Sequence, residues 1–249
     1  MTLRRLTLAV LVLYALLTLY SLVGQPLVRL APLVALAFAF LHAGQREGWR
    51  RAVLLLALVF AVSLLFESVG VATGLVYGPY HYTGKLGPKF LGLVPYMIPV
   101  AWFMMSYPSF VIAERLVGRR SGPRWLWLLA VAALGGLVMT AWDVIMDPLM
   151  VAGGHWVWDT DGAYFGIPMQ NFAGWWVTVF TTFALYLLLR GAQGTARDAA
   201  FDRTAVASYV ITAVGMIGSS LLNGRGDLAL IGFFAMAPWA LLAWGRLNE

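Results

Sequence analysis

Apolar residues fall into eight blocks, at roughly 6–23, 27–41, 52–69, 93–117, 125–151, 171–189, 204–222 and 228–245. A membrane-spanning helix needs about 20 such residues. The pattern predicts an all-α, polytopic integral membrane helix bundle of about eight spans. The second block is short and broken by Pro32, and without it the count is seven. No stretch outside the blocks exceeds a loop, so one transmembrane domain over 1–249 is expected. Two of the breaks are unusual. The 70–92 loop carries six glycines with Pro79 and Pro88, so it is not a continuous helix. Such backbone persists near a membrane only where protein or a wet cavity satisfies it. The 152–170 loop is rich in Trp and Tyr and has no Lys or Arg. Its Asp161-Gly162 predicts a small hairpin, His155–Trp158 against Ala163–Phe165.

Composition strengthens the membrane reading. The chain is 61% hydrophobic and 11% charged, with a mean hydropathy of +0.80. A soluble domain carries about 45–50% apolar and about 25% charged residues. The absence of cysteine removes disulfides, thiolate chemistry, cysteine zinc sites and iron–sulfur clusters. The net charge of +6 does not indicate nucleic acid, because the arginines sit between apolar blocks as topology signals. Alternating the blocks from a cytoplasmic N-terminus puts thirteen cations inside: Arg4, Arg5, Arg46, Arg50, Arg51, Arg115, Arg119, Arg120, Arg124, Arg190, Arg197, Arg203 and Arg246. Four lie outside: Arg29, Lys85, Lys89 and Arg225. The positive-inside rule then places both termini in the cytoplasm. The first block outlasts the h-region of a signal peptide, about 7–15 residues, and reads as a retained span. The expected location is a bacterial cell (inner) membrane, crossed many times.

The chemistry concentrates in 60–180, where the apolar blocks keep three acids: Glu67, Asp143 and Asp147. Asp143 and Asp147 are four apart and share one helix face. At about 1.5 Å per residue, Glu67 and Asp143 fall in the outer half of the bilayer. Ionisable groups at that depth are costly and by default suggest function. The two unusual loops also echo each other. Phe66-Glu67 matches Trp142-Asp143, Gly78 matches Gly154, and Tyr80 and Tyr82 match Trp156 and Trp158. Each loop then closes on a proline, Pro95 or Pro168, before the next block. Such parallel repeats would set Glu67 and Asp143 across a shared pocket, each roofed by its own aromatic loop.

Carboxyls crowded together in apolar surroundings cannot all ionise, which suits general acid catalysis with a second carboxyl as base. Aromatic faces stabilise a nearby cation by roughly 0.5–2 kcal/mol each. Together these suit addition of water to an alkene: protonation of the double bond, shelter of the tertiary carbocation by the rings, and delivery of water by a carboxylate. Asp143 is the expected acid, with Glu67 or Asp147 positioning water. Trp142, Trp156, Trp158, Tyr80 and Tyr82 are the expected substrate wall. His81, His155, Tyr164, Asn171 and Trp175 complete the substrate-binding set. His81 and His155 occupy matching loops, but no metal-ligand spacing accompanies them, and no metal is expected. Asp159-Thr160-Asp161-Gly162 lacks the remaining ligands of a calcium loop and reads as a turn. His42, at the inner end of a block, is expected to be solvated.

The motifs F-E at 66–67, GPYHYTGKLG (78–87), GLVP (92–95), WDVIMDP (142–148), WVW (156–158), YFGIP (164–168) and NFAGW (171–175) run in this order. In them the chain resembles the CruF-type carotenoid 1,2-hydratases, the membrane family that also contains bisanhydrobacterioruberin hydratase. The resemblance covers roughly 60–180. It implies hydration of the terminal carbon 1–carbon 2 double bond of a linear ψ-end, as in lycopene or γ-carotene, giving a tertiary alcohol. No cofactor is implied. The implied partners are the polyene, water, membrane lipid and neighbouring carotenoid-pathway enzymes, with no nucleic acid. Two other readings use the same acids. One is a proton-coupled transporter or lipid-binding protein, disfavoured because the inner halves of the central blocks read as almost purely apolar. The other is a carotenoid isomerase or cyclase, which also begins with protonation.

Overall fold

A computed structural model describes residues 2–23, 30–118, 122–191 and 198–247. Among these residues eight helices stand where the eight blocks predict them: α1 (Leu3–Val23), α2 (Leu30–Glu47), α3 (Trp49–Thr73), α4 (Met97–Val117), α5 (Arg124–Ala152), α6 (Met169–Leu189), α7 (Ala199–Leu222) and α8 (Gly226–Arg246). All but α2 are long and apolar enough to cross a membrane. The chain is a multi-pass membrane protein. α2 carries Arg46 and Glu47 in its last turn, and a single residue, Gly48 at φ 87°, separates it from α3. Of the cations in the charge count, Arg29, Arg119, Arg120 and Arg197 lie outside the described residues.

The helices pack around α4, whose apolar stretch is 83% buried against 17% for α1 at the rim. Large side chains with no exposure, among them Phe103, Tyr107, Phe110 and Phe183, fill the space between α4 and its neighbours. Alternation of the helices puts both termini at one end of the bundle. The unusual loops gather at the other.

There the structure corrects the predicted hairpin. Trp156–Trp158 (β4) does not fold back on 163–165. It pairs antiparallel with Tyr80–Tyr82 (β1), in the register Tyr80↔Trp158, His81↔Val157 and Tyr82↔Trp156. Residues 162–167 instead form a tight local turn, with Phe165 and Gly166 at positive φ and mutual hydrogen bonds between Tyr164 and Ile167. The long-range pairing wins because it buries Tyr80, Tyr82 and Trp156 at once. Two further strands, β2 (Lys89–Phe90) and β3 (Val94–Pro95), form a short antiparallel pair in the first loop. The β1–β4 ribbon acts as a lid over the bundle. Lys85 Nζ donates to the Gly153 carbonyl at 2.7 Å and ties the two loops together, while Lys89 Nζ donates to the Tyr82 carbonyl at 2.6 Å within the first loop.

Candidate active site

Glu67 lies in the last two turns of α3, with its side chain buried beneath the lid. Three uncharged donors converge on it. The Tyr80 hydroxyl donates to Oε2, the Tyr82 hydroxyl donates to the same oxygen at 2.7 Å, and Trp102 Nε1 donates to Oε1 at 2.9 Å. Burial, reinforced by the neighbouring Glu67 charge, pushes both lid phenols well above the usual tyrosine range. They therefore stay protonated and keep donating.

Asp143 and Asp147 share one face of α5, as their spacing predicts, and both are buried. One amide serves both: Asn171 Nδ2 donates to Asp143 Oδ2 at 2.7 Å and to Asp147 Oδ2 at 2.9 Å. Trp156 Nε1 donates to Asp147 Oδ1 at 2.7 Å. Asp143 Oδ1 has no hydrogen-bond partner among the described residues, nor does the buried Trp142 Nε1.

A cavity of about 650 Å³ reaches these groups. Its wall includes Glu67, Asp147, Asn171, Tyr80, Tyr82, Trp142, Trp156, Trp158, Trp175 and His155, all expected from the sequence. Three expected residues stand elsewhere. Asp143 lies one layer behind the wall, reached through Asn171. His81 is exposed on the lid and pairs with Asp159 at 2.9 Å. Tyr164 braces the backbone of α5. Pro148 has no N–H, so the Val144 carbonyl one turn back loses its helical partner, and the Tyr164 hydroxyl donates to it at 2.8 Å. His155 Nδ1 faces the Met150 carbonyl at 3.3 Å. No three His, Asp or Glu side chains among the described residues converge as metal ligands.

The rings form two groups, one between the helices and one in the lid. Trp102 stacks on Trp175 with centroids 4.2 Å apart, and Trp142 meets Trp175 edge-on at 5.7 Å. Tyr80 lies 5.0 Å from Trp158, and Tyr82 meets Trp156 edge-on at 5.8 Å. Trp102 and Tyr77, which also line the cavity, are absent from the expected site set. A signal for Trp102 exists: it stands seven residues after Pro95, as Trp175 stands seven after Pro168. No sequence signal marks Tyr77.

The lid follows the internal echo, but the expected pairing of Glu67 with Asp143 across the pocket is corrected: Asp147, one turn on, is the aspartate that joins Glu67 on the cavity wall. The β1–β4 register pairs each strand's first residue with the other's last, consistent with a local two-fold axis passing between His81 and Val157. Trp102 and Trp175, equivalent by their prolines, stack on each other. Gly78 and Gly154 both take positive φ, at 103° and 65°. At Gly78 a Cβ would also lie 2.9 Å from Pro168 Cγ, so the loop needs glycine there twice over.

A model of the family described as carotenoid biosynthesis protein matches residues 24–238. The chain belongs to that family. The bisanhydrobacterioruberin hydratase of Haloarcula japonica is 37% identical over 126 residues, 51% of this chain and 41% of that protein. The aligned part thus spans less than half of the relative's length. No solved structure matches.

The carotenoid-biosynthesis chain holds a second polar cluster that its sequence does not reveal, at the terminal end. His42 is fully buried, not solvated. Its Nε2 donates to the Phe201 carbonyl at 2.9 Å, leaving Nδ1 to accept from the Tyr107 hydroxyl at 2.6 Å. Beside it Arg46 binds Asp202 and Glu114, each at 2.8 Å, and also Glu47. Arg190 binds Glu47 at 2.9 Å and Glu114 at 2.6 Å, and Arg115 binds Asp202. The inner halves of the central helices are therefore not almost purely apolar.

Proposed function

We propose that the chain is a carotenoid end-group hydratase, a hydro-lyase acting on a linear ψ-end of the lycopene or γ-carotene type. The observation that carries this reading is the meeting of three buried carboxyls, hydrogen-bonded among the described residues only by uncharged donors, with an aromatic cavity inside a membrane bundle. A hydrocarbon offers no hydrogen bonds, so the wall holds it by shape and dispersion. The name of the Haloarcula japonica relative supports the reaction class.

The reaction needs one proton in and one proton out. Asp147, the aspartate on the wall, gives its proton to carbon 2 of the terminal double bond, and Asp143, held behind it by the same Asn171 amide, makes a pair in which two like charges are disfavoured and one proton is kept. The electron pair of the double bond forms the new C–H bond and leaves a tertiary cation at carbon 1. Trp142, Trp175 and the lid rings face this charge with their π-clouds. Water attacks carbon 1 and surrenders a proton to Glu67, whose three donors hold it in place to receive it. That proton returns to the aspartates, so the net change is addition of one water.

Expression in a lycopene-making host, with chromatography and mass spectrometry of the pigments, tests the reading. A product heavier by one or two waters is expected. An isomer or a cyclised product of unchanged mass would replace hydration with the isomerase or cyclase reading, and unaltered lycopene would leave only the carrier or lipid-binding reading. The same reading places the protein in a bacterial cell membrane with both termini cytoplasmic, which reporter fusions at each terminus test.

A further inference from the structure

The cavity does not stop at the acids. It extends to a far wall formed by Thr18 and Leu22 of α1 and by Gly215 and Met216 of α7, with Ala101 and Met104 of α4 between them. The proposed chemistry uses none of these residues. Met104 and Met216 give the lobe adaptable apolar surface, beside the hydroxyls of Thr18, Ser21 and Ser219. Its outer side is one helix thick, because α1 is the least buried of the apolar helices.

The α1–α7 seam is closed by close packing. A Cβ on Gly215 would lie 2.6 Å from Thr18 Cγ2, and one on Gly218 would lie 2.9 Å from Leu22 Cδ1, so both glycines let α1 press against α7. Deeper in the bundle the Tyr14 hydroxyl and Thr212 Oγ1 are hydrogen-bonded at 2.8 Å. The lobe is thus a walled continuation of the acid site, at the depth of the helices and not of the lid.

We propose that this α1–α4–α7 lobe is a binding subsite for the body of a long isoprenoid chain whose tip reaches Asp147 and Glu67. The proposal rests on the end-group hydratase reading and adds to it: the protein recognises a length of polyene behind the reacting tip. A chain seated by its tip alone would touch only the aromatic end. One seated through the lobe also covers Ala101 and Met216.

The absence of cysteine makes a direct test clean. Single variants Ala101→Cys and Met216→Cys report on the lobe, Met150→Cys on the acid end, and Leu13→Cys, on the exposed face of α1, on the surroundings. Each purified variant is labelled with a membrane-permeable maleimide, with and without lycopene in the same micelles. At lycopene about ten times its dissociation constant, labelling at 101, 150 and 216 is expected to slow about tenfold, with no change at 13. Slowing at 150 but not at 101 and 216 overturns the subsite, even if hydrated pigment forms. Slowing at all three without hydrated product keeps the subsite and removes the hydratase reading. No slowing anywhere removes the subsite as well.

Discussion

Each end of the bundle buries three carboxyl groups, and the two ends treat them in opposite ways. At the terminal end Glu47, Glu114 and Asp202 are interleaved with Arg46, Arg115 and Arg190, cation against anion. At the lid end, among the described residues, Glu67, Asp143 and Asp147 receive hydrogen bonds only from phenols, indoles and one amide. A balanced cluster satisfies its members and has nothing left to offer a reactant. It fastens α2, α4, α6 and α7 to one another. Unbalanced acids facing a cavity keep both their proton chemistry and their access to a ligand. Burying a carboxyl is therefore not what marks a site; the kind of partner it is given does.

The comparison predicts that the same kind of substitution does different things at the two ends. The largest effect on conversion is expected for Asp147→Asn, a loss of about 10²–10⁴-fold in pigment hydration with an unchanged melting temperature. Asp143→Asn is expected to cut conversion almost as deeply while the protein stays folded in the membrane; near-normal turnover would remove Asp143 from the mechanism. At the terminal end Arg46→Met leaves Glu47, Glu114 and Asp202 with only Arg190 and Arg115, one buried charge uncompensated, and a loss of about 3–5 kcal/mol is expected in thermal unfolding in detergent. Full stability in that variant would show that the cluster fastens nothing. Tyr82→Phe removes one of the three donors to Glu67. Its expected cost is about 1.5–3 kcal/mol of charge-assisted hydrogen bonding, read as a roughly ten- to hundredfold drop in turnover.

The smallest effect is expected at Asp198, which caps α7 by accepting from Phe201 N at 3.0 Å. That bond, with help from Arg4, holds its carboxyl below the usual aspartate range. A lowered folded value means stability that is present above the unfolded value and lost as pH falls through the folded one. Asp198→Ala is expected to cost about 1 kcal/mol at neutral pH, with the difference from the unaltered protein vanishing in acid.

The lid-end acids are legible in the sequence because an acid inside an apolar run stands out against its neighbours. The lid itself is half legible. Tyr80 and Tyr82 match Trp156 and Trp158 in the echo, but Asp161-Gly162 offers a turn close by, and nothing in a period-two pattern names a partner strand more than seventy residues away. The terminal cluster is hidden by its place in the chain. Arg46, Arg115 and Arg190 stand at block edges, where arginine usually marks topology, so their carboxylate partners on other helices leave no trace in the pattern. His42 is misplaced for the same reason: its depth is set by Tyr107 and Phe201, 65 and 159 residues away.

The six-residue ribbon of β1 and β4 has a mechanical consequence. Tyr80 and Tyr82 hold Glu67 from one strand, while Trp156 holds Asp147 from the other, and the strands are hydrogen-bonded to each other. Neither half of the chain can shelter its own acid unaided, so a break in either strand unseats both at once.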